Sequence, residues 1–139
     1  MDRRDFIKQS CSLCVAVSAG LVITSISSCS TIGLYKTEIS DNKIKVPVSL
    51  FAKSELQIIQ PAKFEFNIAL RKEKNETYSA LLLRCTHADN QLTSTGNGFV
   101  CNLHGSKFDM EGAVTKGPAE YPLKRYVTEV IDANIIISV

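Results

Sequence analysis

The chain has 139 residues, 45% hydrophobic and 22% charged, proportions that suit one globular domain and exclude a disordered polymer. A formal charge of +2 carried by scattered lysines supplies no basic stripe for a phosphate backbone to follow, so no nucleic-acid partner is expected.

Residues 1–28 read as an export leader. Arg3-Arg4-Asp5-Phe6-Ile7-Lys8 runs into an apolar, small-residue stretch from Cys14 to Ile26, which is the charged-then-apolar order of such segments. The Arg-Arg-x-Phe-Ile-Lys order resembles the twin-arginine signal of a bacterial pathway that exports folded proteins; a general secretory signal is the alternative. The stretch falls short of the about 20 residues that span a bilayer as a helix. Ile26-Ser27-Ser28-Cys29 resembles a lipobox. That resemblance implies a mature chain of residues 29–139 with lipid on Cys29, held at the periplasmic face of the inner membrane. Ordinary cleavage, or retention as an anchor, are the alternatives. Cys11 and Cys14 form a Cys-x-x-Cys pair inside the leader with no strand before it, so they are not read as a redox motif.

Beyond the leader, apolar residues recur with period two. Ile44, Val46, Val48 and Leu50 alternate with polar partners across residues 43–50, the pattern of a half-buried strand, and Pro47 predicts that it lies at a sheet edge because proline cannot donate to a ladder. Phe64, Phe66, Ile68 and Leu70 share one face of a second strand over residues 63–70. The charged stretch 71–77 reads as a hairpin turn, and Tyr78 to Arg84 as an apolar strand that delivers Cys85. Glycine, asparagine and proline are dense from 86 to 122, which predicts loops and short strands. Residues 126–131 and 135–139, joined by Asp132-Ala133-Asn134, predict a terminal hairpin. No helical period persists, so the predicted class is all-β, with about eight to ten strands.

The chemistry concentrates in two pairs, Cys85-Thr86-His87 and Cys101-Asn102-Leu103-His104, which contain both histidines of the chain. Thiolate with imidazole suits zinc or an iron–sulfur cluster. Zinc knuckles usually pair cysteine with cysteine and histidine with histidine, whereas each loop here supplies one of each; a zinc-stabilised binding module stays open at this level. In an oxidising compartment Cys85 and Cys101 could also form a structural disulfide, a reading that leaves the adjacent histidines without a role.

Residues 85–123, with Cys-Thr-His-Ala-Asp, then Phe-Val-Cys-Asn-Leu-His-Gly-Ser-Lys-Phe-Asp, then Gly-Pro-Ala and Pro-Leu, resemble the Rieske [2Fe–2S] family. The resemblance implies a Rieske-like antiparallel β-sandwich with a small cluster-binding β subdomain at about residues 80–123. It implies a [2Fe–2S] cluster, with Cys85 and Cys101 on one iron and His87 and His104 on the other. It gives Gly105 a backbone role beside the cluster, Ser106 a hydrogen bond to a cluster sulfur, and Pro118 a place in a loop covering the cluster on a third side. Members found in cytochrome bc complexes carry a disulfide at the positions of Asn90 and Leu103 and a tyrosine at Phe108. This chain lacks both. Neutral imidazoles raise the potential of such centres to roughly −150 to +300 mV, against about −400 mV for plant-type ferredoxins; one lost donor and one retained serine predict a value between the bc-complex members and those lacking both.

One-electron transfer is therefore the expected function, as a component of an oxidoreductase. The resemblance implies a redox partner such as a cytochrome b or c or a molybdopterin subunit, with quinol as a candidate donor and the membrane reached through the lipid anchor. A free-standing periplasmic carrier or redox sensor is the alternative. Once the cluster takes both histidines together with Cys85 and Cys101, no histidine remains for the mononuclear iron, held by two histidines and a carboxylate, that a self-contained oxygenase needs.

Overall fold

The computed structural model describes residues 32–139, so the expected leader, the lipobox and Cys29 lie outside the described residues. Six strands come first: β1 (Gly33–Thr37), β2 (Ile39–Ser40), β3 (Lys43–Pro47), β4 (Leu56–Pro61), β5 (Ile68–Lys72) and β6 (Tyr78–Leu82). Four short ones follow, β7 (Thr93–Ser94), β8 (Phe99–Val100), β9 (Lys107–Phe108) and β10 (Val114–Lys116), before β11 (Arg125–Ile131) and β12 (Asn134–Ser138) close the chain. One 3₁₀ helix, Val48–Ala52, links β3 to β4.

The strands form two sheets, an eight-stranded one in the order β1-β4-β5-β6-β11-β12-β3-β2 and a four-stranded one in the order β10-β9-β8-β7. Glu38 alone separates β1 from β2, the two outer members of the larger sheet. Its two edges are thus one stretch of chain, and the sheet rolls into a barrel-like wall, which removes exposed edges. The pairing of β1 with β4 is parallel, and the other described pairings are antiparallel. The smaller sheet is an excursion between β6 and β11, which are themselves neighbours in the larger sheet.

Two hydrophobic cores result, and β6 divides them. Tyr78, Ala80 and Leu82 point into the barrel core with Ile44, Val46, Ile59, Ile68, Leu70, Ile135 and Ile137. Leu81, and Leu83 just beyond the strand, face the second core, with Leu92, Phe99, Phe108, Leu123 and both cysteines. All five residues of β6 are buried, which is why this segment reads as a continuous apolar run where a half-exposed strand would alternate.

Three expectations shift in detail. The strand expected over 43–50 ends at Pro47, where the chain turns into the 3₁₀ helix. β2 pairs only with Lys43 and Ile44, and Pro47 has β12 alone beside it, so the open side needed by a proline exists at that end of β3 and not at its start. The strand expected over 63–70 begins only at Ile68: Lys63 adopts φ 61° in a turn, and the Asn67 N–H donates to Gln91 Oε1 at 2.9 Å outside any ladder. Phe66, Ile68 and Leu70 nevertheless share the barrel core, with Phe64 packed against it. The terminal hairpin turns at Asp132-Ala133, with Asp132 at φ 53°.

Candidate metal centre

Both Cys–His pairs lie at hairpin tips built to the same plan. The first hairpin leaves β6: the Leu92 N–H donates to the Leu83 carbonyl at 2.9 Å, Arg84 bridges Gln91, and the Cys85 N–H donates to the Asn90 carbonyl at 2.8 Å. The second is β8 with β9, where Val100 pairs with Lys107 and the Cys101 N–H donates to the Ser106 carbonyl at 2.8 Å. In each, a cysteine N–H is bonded to the carbonyl five residues on, which pins the base of a tip containing the histidine. Gly105, at φ 78°, supplies a left-handed turn that a Cβ would strain; an added Cβ would have no protein atom within 4 Å, so backbone conformation is the demand on this glycine. Gly98 is the reverse case. A Cβ there would collide with the Phe108 carbonyl oxygen, and glycine lets the strands of the second hairpin approach.

A third segment, 117–122, fastens the two tips together. The Ala119 N–H donates to Ser106 Oγ at 3.0 Å, and Thr86 Oγ1 donates to the Tyr121 carbonyl at 2.7 Å. Pro118 is exposed at the start of this segment, behind a cis peptide bond from Gly117, while Ala119 is buried. Ser106 is fully buried. Its oxygen is occupied as an acceptor, and its hydroxyl proton has no protein acceptor among the described residues, so it is free to donate elsewhere.

The four candidate ligands divide by depth. Cys85 and Cys101 are both free thiols at 0% exposure. His87 and His104 are exposed, with their rings 5.0 Å apart at an interplanar angle of 85°. Burial pushes the Cys101 thiol up, but the His104 and Leu103 backbone N–H groups, the Cys85 thiol and the Asn90 side chain together hold it below the usual cysteine range. Asn90 Nδ2 lies 3.7 Å from Cys101 Sγ. Among the described residues no three His, Cys, Asp or Glu side chains converge where one ion could sit.

All the candidate residues from the sequence, Cys85, His87, Cys101, His104, Gly105, Ser106 and Pro118, therefore fall in three loops tied to one another. Cys29 lies outside the described residues. The roles of Thr86, of the Ala119 N–H and of the Asn90 amide escaped the sequence reading. For Asn90 a signal existed: it stands five residues after Cys85, as Ser106 stands five after Cys101.

The Rieske [2Fe-2S] domain family matches residues 42–127. The chain is 41% identical over 56 residues to cytochrome b6-f complex iron-sulfur subunit 1 of Synechocystis sp., a stretch covering 39% of this chain and 32% of that one. It is 43% identical over 56 residues to subunit 3 of the same complex in Nostoc sp., covering 40% and 30%. The matched stretch thus spans about a third of the length of these relatives. Among solved structures, a chain from the complex of reduced oxygenase and oxidized ferredoxin in carbazole 1,9a-dioxygenase superposes with a TM-score of 0.52 at 19% identity, over 71% of this chain and 94% of that one, a likeness of fold. With the family match extending over more than half of the chain, this protein belongs to the Rieske [2Fe-2S] family, and its cofactor is a [2Fe–2S] cluster.

Proposed function

We propose that the cluster is held by Cys85 and Cys101 on one iron and by His87 and His104 on the other, and that the protein passes single electrons as a subunit of a membrane-associated oxidoreductase. One observation supports the ligand assignment above the rest: two buried thiols and two exposed imidazoles, whose rings lie 5.0 Å apart, stand on two hairpin tips that share one hydrogen-bond plan. When bound, the cluster supplies a one-electron couple whose potential is raised by imidazole in place of thiolate. The chain does the rest. Cys85 and Cys101 keep one side of the site dry, His87 and His104 keep the other at the surface where a partner can approach, and the 117–122 segment holds both tips in register.

The redox partner is a protein of the cytochrome b or c or molybdopterin class, and quinol is a candidate donor where that partner is a quinol-oxidising cytochrome b complex. The stretch shared with two cytochrome b6-f iron-sulfur subunits supports this reading. Leu103 and Tyr121, 57% and 68% exposed beside the two loops, give the histidine face an apolar element for docking. We assign the protein to the periplasmic side of the inner membrane, tethered through Cys29.

The purified protein is expected to contain two iron and two sulfide per chain and to give a rhombic paramagnetic signal after dithionite reduction. Stoichiometric zinc without sulfide would refute the ligand assignment. Gentle solubilisation from membranes is expected to retain a cytochrome or molybdenum subunit; a cluster-loaded monomer with neither would replace the subunit reading with that of a free-standing carrier.

A further inference from the structure

The two ligand loops are related by more than their backbone bonds. Five residues after each cysteine, at the position whose carbonyl receives that cysteine's N–H, stands a polar side chain: Asn90 in the first loop and Ser106 in the second. Ser106 turns back to the 117–122 segment. Asn90 crosses between the loops instead, its Nδ2 lying 3.7 Å from Cys101 Sγ and 3.2 Å from the Gln91 carbonyl. That carbonyl can only accept, so the amide must present its nitrogen here, and its two hydrogens match the two acceptors one to one. Asn90 is half-buried, which strengthens an N–H···S contact relative to the same contact in water.

We propose that Asn90 is a potential-setting residue: its amide N–H, donated from the first loop to the Cys101 sulfur of the second, favours the reduced cluster and joins the two loops where other family members use a disulfide. This rests on Cys101 being a cluster ligand. Reduction adds one electron and places more negative charge on the ligand sulfurs, so a donor fixed at one of them stabilises the reduced state more than the oxidised one. The Leu103 and His104 backbone N–H groups of its own loop also favour negative charge on Cys101. Asn90 is the amide donor that reaches it from the other loop. Phe108 brings no hydroxyl, and the Asn90 amide offsets part of that loss.

The test compares wild type with Asn90→Leu, close in size but without an N–H, and Asn90→Asp, which puts a carboxylate where the amide stood. Protein-film voltammetry is expected to show a lower potential for Asn90→Leu, by about a tenfold shift in the ratio of reduced to oxidised protein, equivalent to about 59 mV for one electron, and a lower one still for Asn90→Asp. Cluster-loaded variants at the wild-type potential would overturn the proposal and leave the ligand assignment standing. A wild type without two iron and two sulfide would instead remove the assignment on which it rests. If the variants fail to load, pulsed paramagnetic spectroscopy of reduced wild type carrying ¹⁵N-asparagine gives the answer: a weak coupling from a side-chain nitrogen is expected, and its absence overturns the proposal.

Discussion

Ser106 shows how one side chain links stability to redox chemistry. It is fully buried, accepts the Ala119 N–H at 3.0 Å and keeps its own proton free. Ser106→Ala removes a donor from the cluster's surroundings and leaves a buried N–H without a partner, an unpaired group that costs about 1–3 kcal/mol. The expected outcome is a lower reduction potential by voltammetry together with a lower melting temperature. An unchanged potential would refute the donor role even if the melting temperature fell. Such a residue was legible from the sequence because the Cys-x-x-His-Gly-Ser order is local. Asn90 was legible only as a missing cysteine, since its contact to Cys101 joins two loops.

At the scale of elements, the cluster subdomain is attached to the barrel by ions as well as by its own core. Arg71 on β5 places Nη2 at 2.8 Å from both Glu73 and Glu111, and the Arg125 guanidinium on β11 donates to the Glu111 carbonyl at 2.9 Å. Glu111 belongs to the turn between β9 and β10, so two strands of the larger sheet grip one turn of the smaller. Burial pushes the Glu73 carboxyl up, but the hydrogen bond and charge of Arg71 hold it below the usual carboxylate range. A carboxyl whose pKa is depressed by folding stabilises the protein at neutral pH, and that contribution disappears as pH falls through its folded value. Wild type is therefore expected to lose melting temperature below about pH 4.5 more steeply than Glu73→Gln, for which that part of the acid slope is absent. The effect is expected to be small, because these groups are partly solvated and such pairs contribute about 0–1 kcal/mol. Parallel acid slopes in the two proteins would show that Glu73 contributes nothing.

At the scale of the whole molecule, the leader is the remaining assignment. Mass spectrometry of protein isolated from membranes is expected to give an N-terminal Cys29 carrying diacylglycerol, and Cys29→Ala is expected to release the protein from the membrane fraction. An intact leader, or cleavage elsewhere without lipid, would refute the anchor. A tether at Cys29 lies close in sequence to β1 (Gly33–Thr37), the strand that closes the rolled sheet.

The sequence by itself determined the all-β class, the terminal hairpin, the strand delivering Cys85 and the grouping of the two Cys–His pairs, because alternation, turn residues and ligand spacing are all local. It misjudged the ends of two strands for the same reason. Alternation continues through Phe64 and Phe66 whether they sit in a ladder or merely cap a core, and pairing partners decide which. Tertiary structure alone decided that the larger sheet closes across Glu38 and that the 117–122 segment binds Ser106 and Thr86. It also decided the cross-loop contact of Asn90, now the clearest target for substitution. Each of these joins residues far apart in the chain, and hydrogen bonds and burial between distant segments leave no period in the sequence from which they could be read.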